Sequence, residues 1–337
     1  MAAFGKTHAE ARRRGEASRL AARRLPLLAL RASMWRSMDN TSGQFGGWLA
    51  RLETRAVPRF NQLVVWSLLG TALVLALTPF RLSSGERAGF ASFLAWLPDG
   101  VVYDARSFWL MRGILLVGIG LWVFNRWLPW SCWLVVIGFT GLWSLHVETT
   151  TNTAHIFHMA NMLLIIQAIW ITGDAAAIRR ALAEGRYWTT PLVPRWVSLA
   201  SIAYIGMFHT AAGLSKLLFS GPAWANGTSL QLWTYLWGRR WSPTTQMMLG
   251  SRTFTKWLQA FTLIVETSGV FAIVPALRPW IGLALSLFYF GVLATFDYGF
   301  QFNALFTLLY FLPCEQWINA RFARASKLSS TKSSRSI

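Results

Sequence analysis

Apolar runs, each close to twenty residues long, recur through most of this sequence and leave few folds open to it. They fall at about 61–80, 107–124, 127–146, 155–172, 196–219, 254–275, 279–296 and 303–313, the last being short. A helix needs about twenty predominantly apolar residues to cross a hydrocarbon core about 30 Å thick. A soluble domain could not bury so much apolar surface. The composition agrees, with 54 % apolar and only 13 % charged residues, 20 Trp and 23 Phe. The sequence predicts an all-α integral membrane protein, a polytopic bundle of about eight (7–9) spans.

Charge then orients the bundle. The net charge of +19 invites a nucleic-acid reading, but the basic residues gather in the two tails and in alternate loops. That is the distribution of orientation determinants facing anionic lipid, so no nucleic acid is expected as a partner. With the N-terminus inside and eight spans, inner segments hold 23 Lys and Arg. Outer segments hold six: Arg81, Arg87, Arg106, Arg239, Arg240 and Arg252. Both termini are predicted on the cytoplasmic side, in a multi-pass protein of the bacterial cytoplasmic membrane. Arg112, Lys216 and Lys256 fall within spans, and Arg112 has no assigned place.

Three regions follow. Residues 1–59 form a basic arm, surface-lying or disordered, whose acidic residues Glu10, Glu16, Asp39 and Glu53 argue against a transit peptide. Translation starting at Met34 or Met38 is an alternative. Residues 60–313 form the transmembrane domain, and 314–337 a basic cytoplasmic tail. Between the fifth and sixth spans, "SLQLWTYLWGRRWSPTTQMM" is Trp-rich and broken by charge, which reads as interfacial. The two cysteines, Cys132 and Cys314, imply no disulfide framework.

On this topology the polar residues gather in one leaflet. His146 ends the third span, and the fourth opens with "HIFHMAN", which holds His155, His158 and Asn161. The fifth carries His209 past its middle and Lys216 near its outer end; the sixth places Glu266 near mid-membrane, and the seventh finishes at Asp297. An ionisable group at mid-depth costs about 2.5–3.5 kcal/mol on insertion scales, and such groups pair or line wet cavities. Their convergence predicts one polar pocket in the outer half of the membrane.

Plainer readings stand beside that one. Lys216 is near enough to the span end to snorkel to the headgroups. His146 and His155 suit an ordinary interface, Glu266 suits a structural partner for Lys216 or a hydroxyl, and Asp297 suits a turn cap. Spacing favours function: His209, Gly213 and Lys216 fall at i, i+4 and i+7 and share a helix face, where Gly213 admits another backbone or a flat ligand. His155 and His158, at i and i+3, could bind a metal or haem, but nearby Cys or carboxylate ligands are lacking and no metal is expected. Phosphate-cradling loops, HExxH and CxxC motifs are absent. "NGT" at Asn226 fits a glycosylation sequon.

"AGLSKLLFSGPAWANGTSL" resembles the signature of the horizontally transferred transmembrane (HTTM) domain, best known from the vitamin K-dependent gamma-carboxylases. The pattern is Ala-Gly-x-x-Lys-Leu at a span end, then Trp, Gly and Leu. Here it is carried by Ala212, Gly213, Lys216, Leu217, Trp224, Gly227 and Leu230. "HIFHMANMLL" is similar to the family's histidine-bearing span, and "LIVETSGVFAIVPALRPW" to its acidic one, so the resemblance covers about residues 60–313.

The resemblance implies an enzyme in which Lys216 is the base that deprotonates a reduced quinone. His158 and His209 would assist by hydrogen bonding, and Glu266 would pair with or tune the lysine. His155, Gly213 and Trp224 would contact the bound quinol. A lipid-soluble quinol arrives through the bilayer, so an intramembrane base is where it can be met; a secreted or outer-face peptide is the other implied substrate. The carboxylases' large lumenal domain has no counterpart after Pro313, and position 209 is His where they tend to have an aromatic, so glutamate carboxylation itself is not expected. Two rival readings are a non-catalytic factor that escorts or matures a secreted peptide, and a small-solute transporter; for the latter, internal repeats are missing.

Overall fold

A computed structural model describes residues 51–79, 97–149, 156–296 and 300–322. It is 81 % helical, hence all-α. The chain divides into two units, Met1–Thr54 and Arg55–Ile337. The first is described only over 51–54, so the basic arm expected over 1–59 lies largely outside the described residues, as do 323–337 of the tail; 314–322 are helical.

Among the described residues, eleven helices organise the second unit, besides a single turn at Asp99–Val102 and the helical stretch 314–322. In chain order α1 is Arg59–Leu77, α2 Ala105–Val123, α3 Trp130–Thr149, α4 His158–Gly173, α5 Ala175–Ala183 and α6 Arg195–Ser220. Then come α7 Thr228–Trp237, α8 Pro243–Gly250, α9 Arg252–Thr267, α10 Arg278–Thr295 and α11 Gln301–Phe311. A two-residue antiparallel ribbon, β1 (Arg55–Ala56) with β2 (Val193–Pro194), ties the start of α1 to the start of α6, with Arg55 opposite Pro194.

Each of the eight apolar runs is helical over most of its length, because unbroken apolar sequence satisfies its backbone polar groups internally only as helix. Among the described residues, five helices are long and apolar enough to cross a membrane: α1, α2, α3, α6 with the 3₁₀ turn after it, and α10. The pair α4 and α5 adds a sixth if it counts as one crossing. At this level the chain is a helical membrane protein. Large apolar side chains cover its outside, with Leu218 82 % and Phe219 90 % exposed, and Trp109, Val117, Trp280 and Phe290 also facing outward. A soluble protein does not carry such a surface. Phe139, Leu142, Leu163, Trp170, Phe306 and Phe311 fill the interior.

Two of the expected spans depart from a single straight crossing at or just past their ends. The fourth is followed at once by a 77° bend between α4 and α5. Asp174 sits at the corner, where its carboxylate accepts from the Trp170 indole (3.0 Å) and from Arg55 (2.7 Å). The sixth leaves α-helical geometry after Thr267 and tightens into a 3₁₀ segment, Ser268–Ile273. Thr210 of α6 serves that break: its hydroxyl accepts from Val270 N–H (2.8 Å) and donates to Thr267 C=O (3.3 Å). Such partners are what permit a helix to break inside an apolar environment.

Several buried polar residues pair across helices. Asn61 on α1 and Gln167 on α4 exchange two amide hydrogen bonds, each 3.0 Å. Thr140 on α3 donates to Asn161 on α4 at 2.7 Å. Arg112 now has a place: its Nη2 donates to the carbonyl of Thr78 (2.6 Å), the C-cap of α1, while the guanidinium stacks over Phe108 and Trp109. It satisfies an orphan carbonyl at a helix C-terminus.

Candidate functional site

Two helices build the centre of the site because small residues let them touch. A Cβ placed on Gly213 of α6 would lie 2.7 Å from the Thr267 nitrogen and 3.1 Å from the Glu266 carbonyl carbon. Two turns earlier, Gly206 meets Gly269 in the same way, 2.6 Å from its carbonyl oxygen. Close backbone approach through small residues is the usual packing device between membrane helices. Gly213 therefore meets the backbone of α9, one of the two neighbours its spacing allowed.

That approach brings Glu266, one residue from the end of α9, alongside Lys216 of α6. The Lys216 ammonium donates to Glu266 Oε2 as an ion pair. The lysine side chain is 25 % exposed and the glutamate side chain 6 %, so the carboxylate is the more deeply buried partner. Trp224, in the 3₁₀ turn after α6, places its ring 5.2 Å from the ammonium, a cation–π distance. Lys216 is thus held within the protein by two partners.

Both Lys216 and Trp224 line a cavity of about 390 Å³ between α6, α7, α9 and α10. Phe288, Val292, Phe296 and Phe300 form one wall, and Leu230 and Trp233 another. Ser229, Gln259 and Thr262 add polar atoms near the lysine. The cavity is therefore apolar, with one charged group in its wall.

The histidines divide. His209, 2 % exposed, lies about two turns before Lys216 on the same face of α6. Its Nε2 is 3.3 Å from the Tyr289 hydroxyl and 3.5 Å from the Thr307 hydroxyl. His158 is elsewhere. It opens α4 in a nest of Trp143, Tyr204 and Phe208, with its Nδ1 2.9 Å from the Tyr204 hydroxyl. Tyr204 and Phe208 project from α6 roughly a quarter to a third of a turn away from Lys216. His158 is not among the residues lining the cavity; it packs against Phe208, which in turn packs edge-on against His209. His155 and Asp297 lie outside the described residues, and His146 is not among the residues lining the cavity.

No family model, characterised protein or solved structure matches this chain.

Two residues escape the sequence reading. Gln259, 1 % exposed, is bonded through both its amide nitrogen and its amide oxygen. Tyr289 is fully enclosed beside His209. Each had a signal: Gln259 precedes Glu266 by seven residues and shares its helix face, and Tyr289 follows Ser286 by three in an otherwise apolar run. Among the described residues, no group of three or more His, Cys, Asp or Glu is placed to hold a metal ion.

Proposed function

We propose that this chain is an integral membrane enzyme of the HTTM type, in which Lys216, paired with Glu266, removes a proton from the hydroxyl of a lipid-soluble quinol. The observation that carries the reading is one amine in the wall of an otherwise apolar, aromatic cavity, ion-paired to the buried carboxylate of Glu266. A volume of about 390 Å³ falls within the usual range for small-molecule sites, about 300–1,000 Å³. A flat hydroxylated ring with an apolar tail suits that lining, and its hydroxyl would meet Lys216.

The pair supplies the base. Two opposite charges in a low-dielectric site carry a desolvation penalty of several kcal/mol per ion. Passing the ammonium proton to Glu266 removes both charges and leaves a neutral amine at the cavity wall. That amine accepts the substrate proton, and the resulting ammonium faces the new oxyanion at contact distance. Trp224 stabilises the ammonium by its ring face, and His209 with Tyr289 forms a polar floor beneath the pair.

Eight crossing or half-crossing segments, termini inside, would put the pair in the outer half of a bacterial cytoplasmic membrane; the 23 to six partition of basic residues supports this. A deciding test is oxygen-dependent consumption of a reduced naphthoquinone by the purified protein in nanodiscs. Lys216→Ala is expected to abolish turnover with expression and insertion intact; undiminished turnover overturns the proposal. One observation favours the escort reading: α7 exposes Leu232, Trp233, Tyr235, Leu236 and Trp237, a face on which a secreted peptide could bind. In that case Lys216→Ala is tolerated and changes along α7 are not.

A further inference from the structure

We propose that Gln259 is the positioning residue of the Lys216 site, acting on the lysine through the turn that carries Trp224. The inference rests on reading the cavity as a ligand site, but its geometry is independent of the ligand. Residues 221–229 leave α6, make the 3₁₀ turn Gly221–Ala225 and enter α7. A turn of this kind inside an apolar bundle exposes backbone groups that no helix satisfies. Gln259, on α9, meets them. Its Oε1 accepts from Gly227 N–H (2.6 Å), and its Nε2 donates to the Trp224 carbonyl (2.8 Å) and to Ser229 Oγ (2.7 Å). Both amide hydrogens and one oxygen lone pair are used, close to the full capacity of the side chain.

Backbone conformation adds a second constraint. Gly227 has φ +87°, and a Cβ there would lie 2.7 Å from the Arg252 carbonyl oxygen and 3.2 Å from the Lys256 nitrogen. The turn is thus pressed onto the first two turns of α9 at a point only glycine fits. Gln259 and Glu266 lie two turns apart on the same face of that helix, about 10 Å along its axis. One face of α9 therefore holds Lys216 from two sides: Glu266 directly, and Gln259 through Trp224. The lysine meets its carboxylate and its aromatic ring in a fixed relation because both are referred to one rigid element, the arrangement that reaction geometry demands.

The test uses the full-length protein in nanodiscs with no ligand. Hydrogen exchange is read by mass spectrometry on peptides spanning 221–230, and the amines are acylated with a small water-soluble reagent. In Gln259→Leu, exchange in 221–230 is expected to rise about tenfold, the factor that opening an ordinary hydrogen-bonded latch allows, while α1 keeps its wild-type rate. Acylation of Lys216 relative to exposed Lys256 in the same sample is expected to rise about fivefold as Trp224 leaves it. Ser229→Ala keeps two of the three bonds and should show a smaller rise in both readouts, which serves if Gln259→Leu does not fold. Unchanged exchange at 221–230, a rise spread equally over the whole chain, or an unchanged Lys216 to Lys256 ratio overturns the assignment. Failure of the base reading is separate: Lys216→Ala would then be active while Gln259→Leu still loosened the turn.

Discussion

Replacing the two members of the buried pair should have unequal consequences, and the inequality follows from their exposure. Lys216→Met removes the cation and strands the Glu266 carboxylate, whose side chain is only 6 % exposed. Breaking a buried pair from one side typically costs about 3–5 kcal/mol; proton uptake by the stranded carboxyl limits the loss here to about 3 kcal/mol. Glu266→Gln leaves the ammonium, but the lysine side chain is 25 % exposed and still faces the Trp224 ring at 5.2 Å. That variant should lose about 1–2 kcal/mol. The double variant, Lys216→Met with Glu266→Gln, strands no charge and should lose about 2 kcal/mol, less than the sum of the single losses. Equilibrium unfolding by SDS in mixed micelles measures all four corners of the cycle. Strictly additive losses, or a larger loss in Glu266→Gln than in Lys216→Met, would refute the pairing and the order of burial on which the proposed base depends.

Two further outcomes test the packing around the site. Gly213→Ala places a methyl group within 2.7 Å of the Thr267 nitrogen, so α6 and α9 must separate; a stability loss of about 1–3 kcal/mol is expected in the same unfolding assay, with faster acylation of Lys216. Asn61→Leu leaves Gln167 unpaired in the interior and should cost about 1–3 kcal/mol, whereas Asn61→Leu combined with Gln167→Leu should recover most of that loss, measured by retention of the monodisperse peak after heating.

The helices were legible because an apolar run near twenty residues long admits one backbone solution, and all eight runs are helical. The bend at Asp174 and the 3₁₀ segment after Thr267 were not, since each depends on a partner far away in the chain: Arg55 for the first, Thr210 for the second. The charges of the site stood out in the sequence for the same reason that makes them costly. Lys216 and Glu266 each interrupt an apolar run. Spacing on α6 correctly grouped His209, Gly213 and Lys216 on one face, but could not say that the partner filling the space at Gly213 is backbone. Nor could the sequence separate His158 from His209, which stand on different helices, α4 and α6, among different neighbours. Gln259 was hidden in "TKWLQAFT", beside residues that do face outward, such as Lys256 and Trp257.

The seam formed by Gly206, Gly213 and Gly269 has a mechanical consequence. Side-chain contacts have slack, because rotamers can adjust when helices tilt; main chain against main chain has almost none. If the surrounding lipid thins or thickens, α6 and the broken helix behind it must lean together as one strut, keeping the amine and carboxylate at constant separation. The opposite wall, which rests on the flexible rings of Phe288, Phe296 and Phe300, is the part left to breathe.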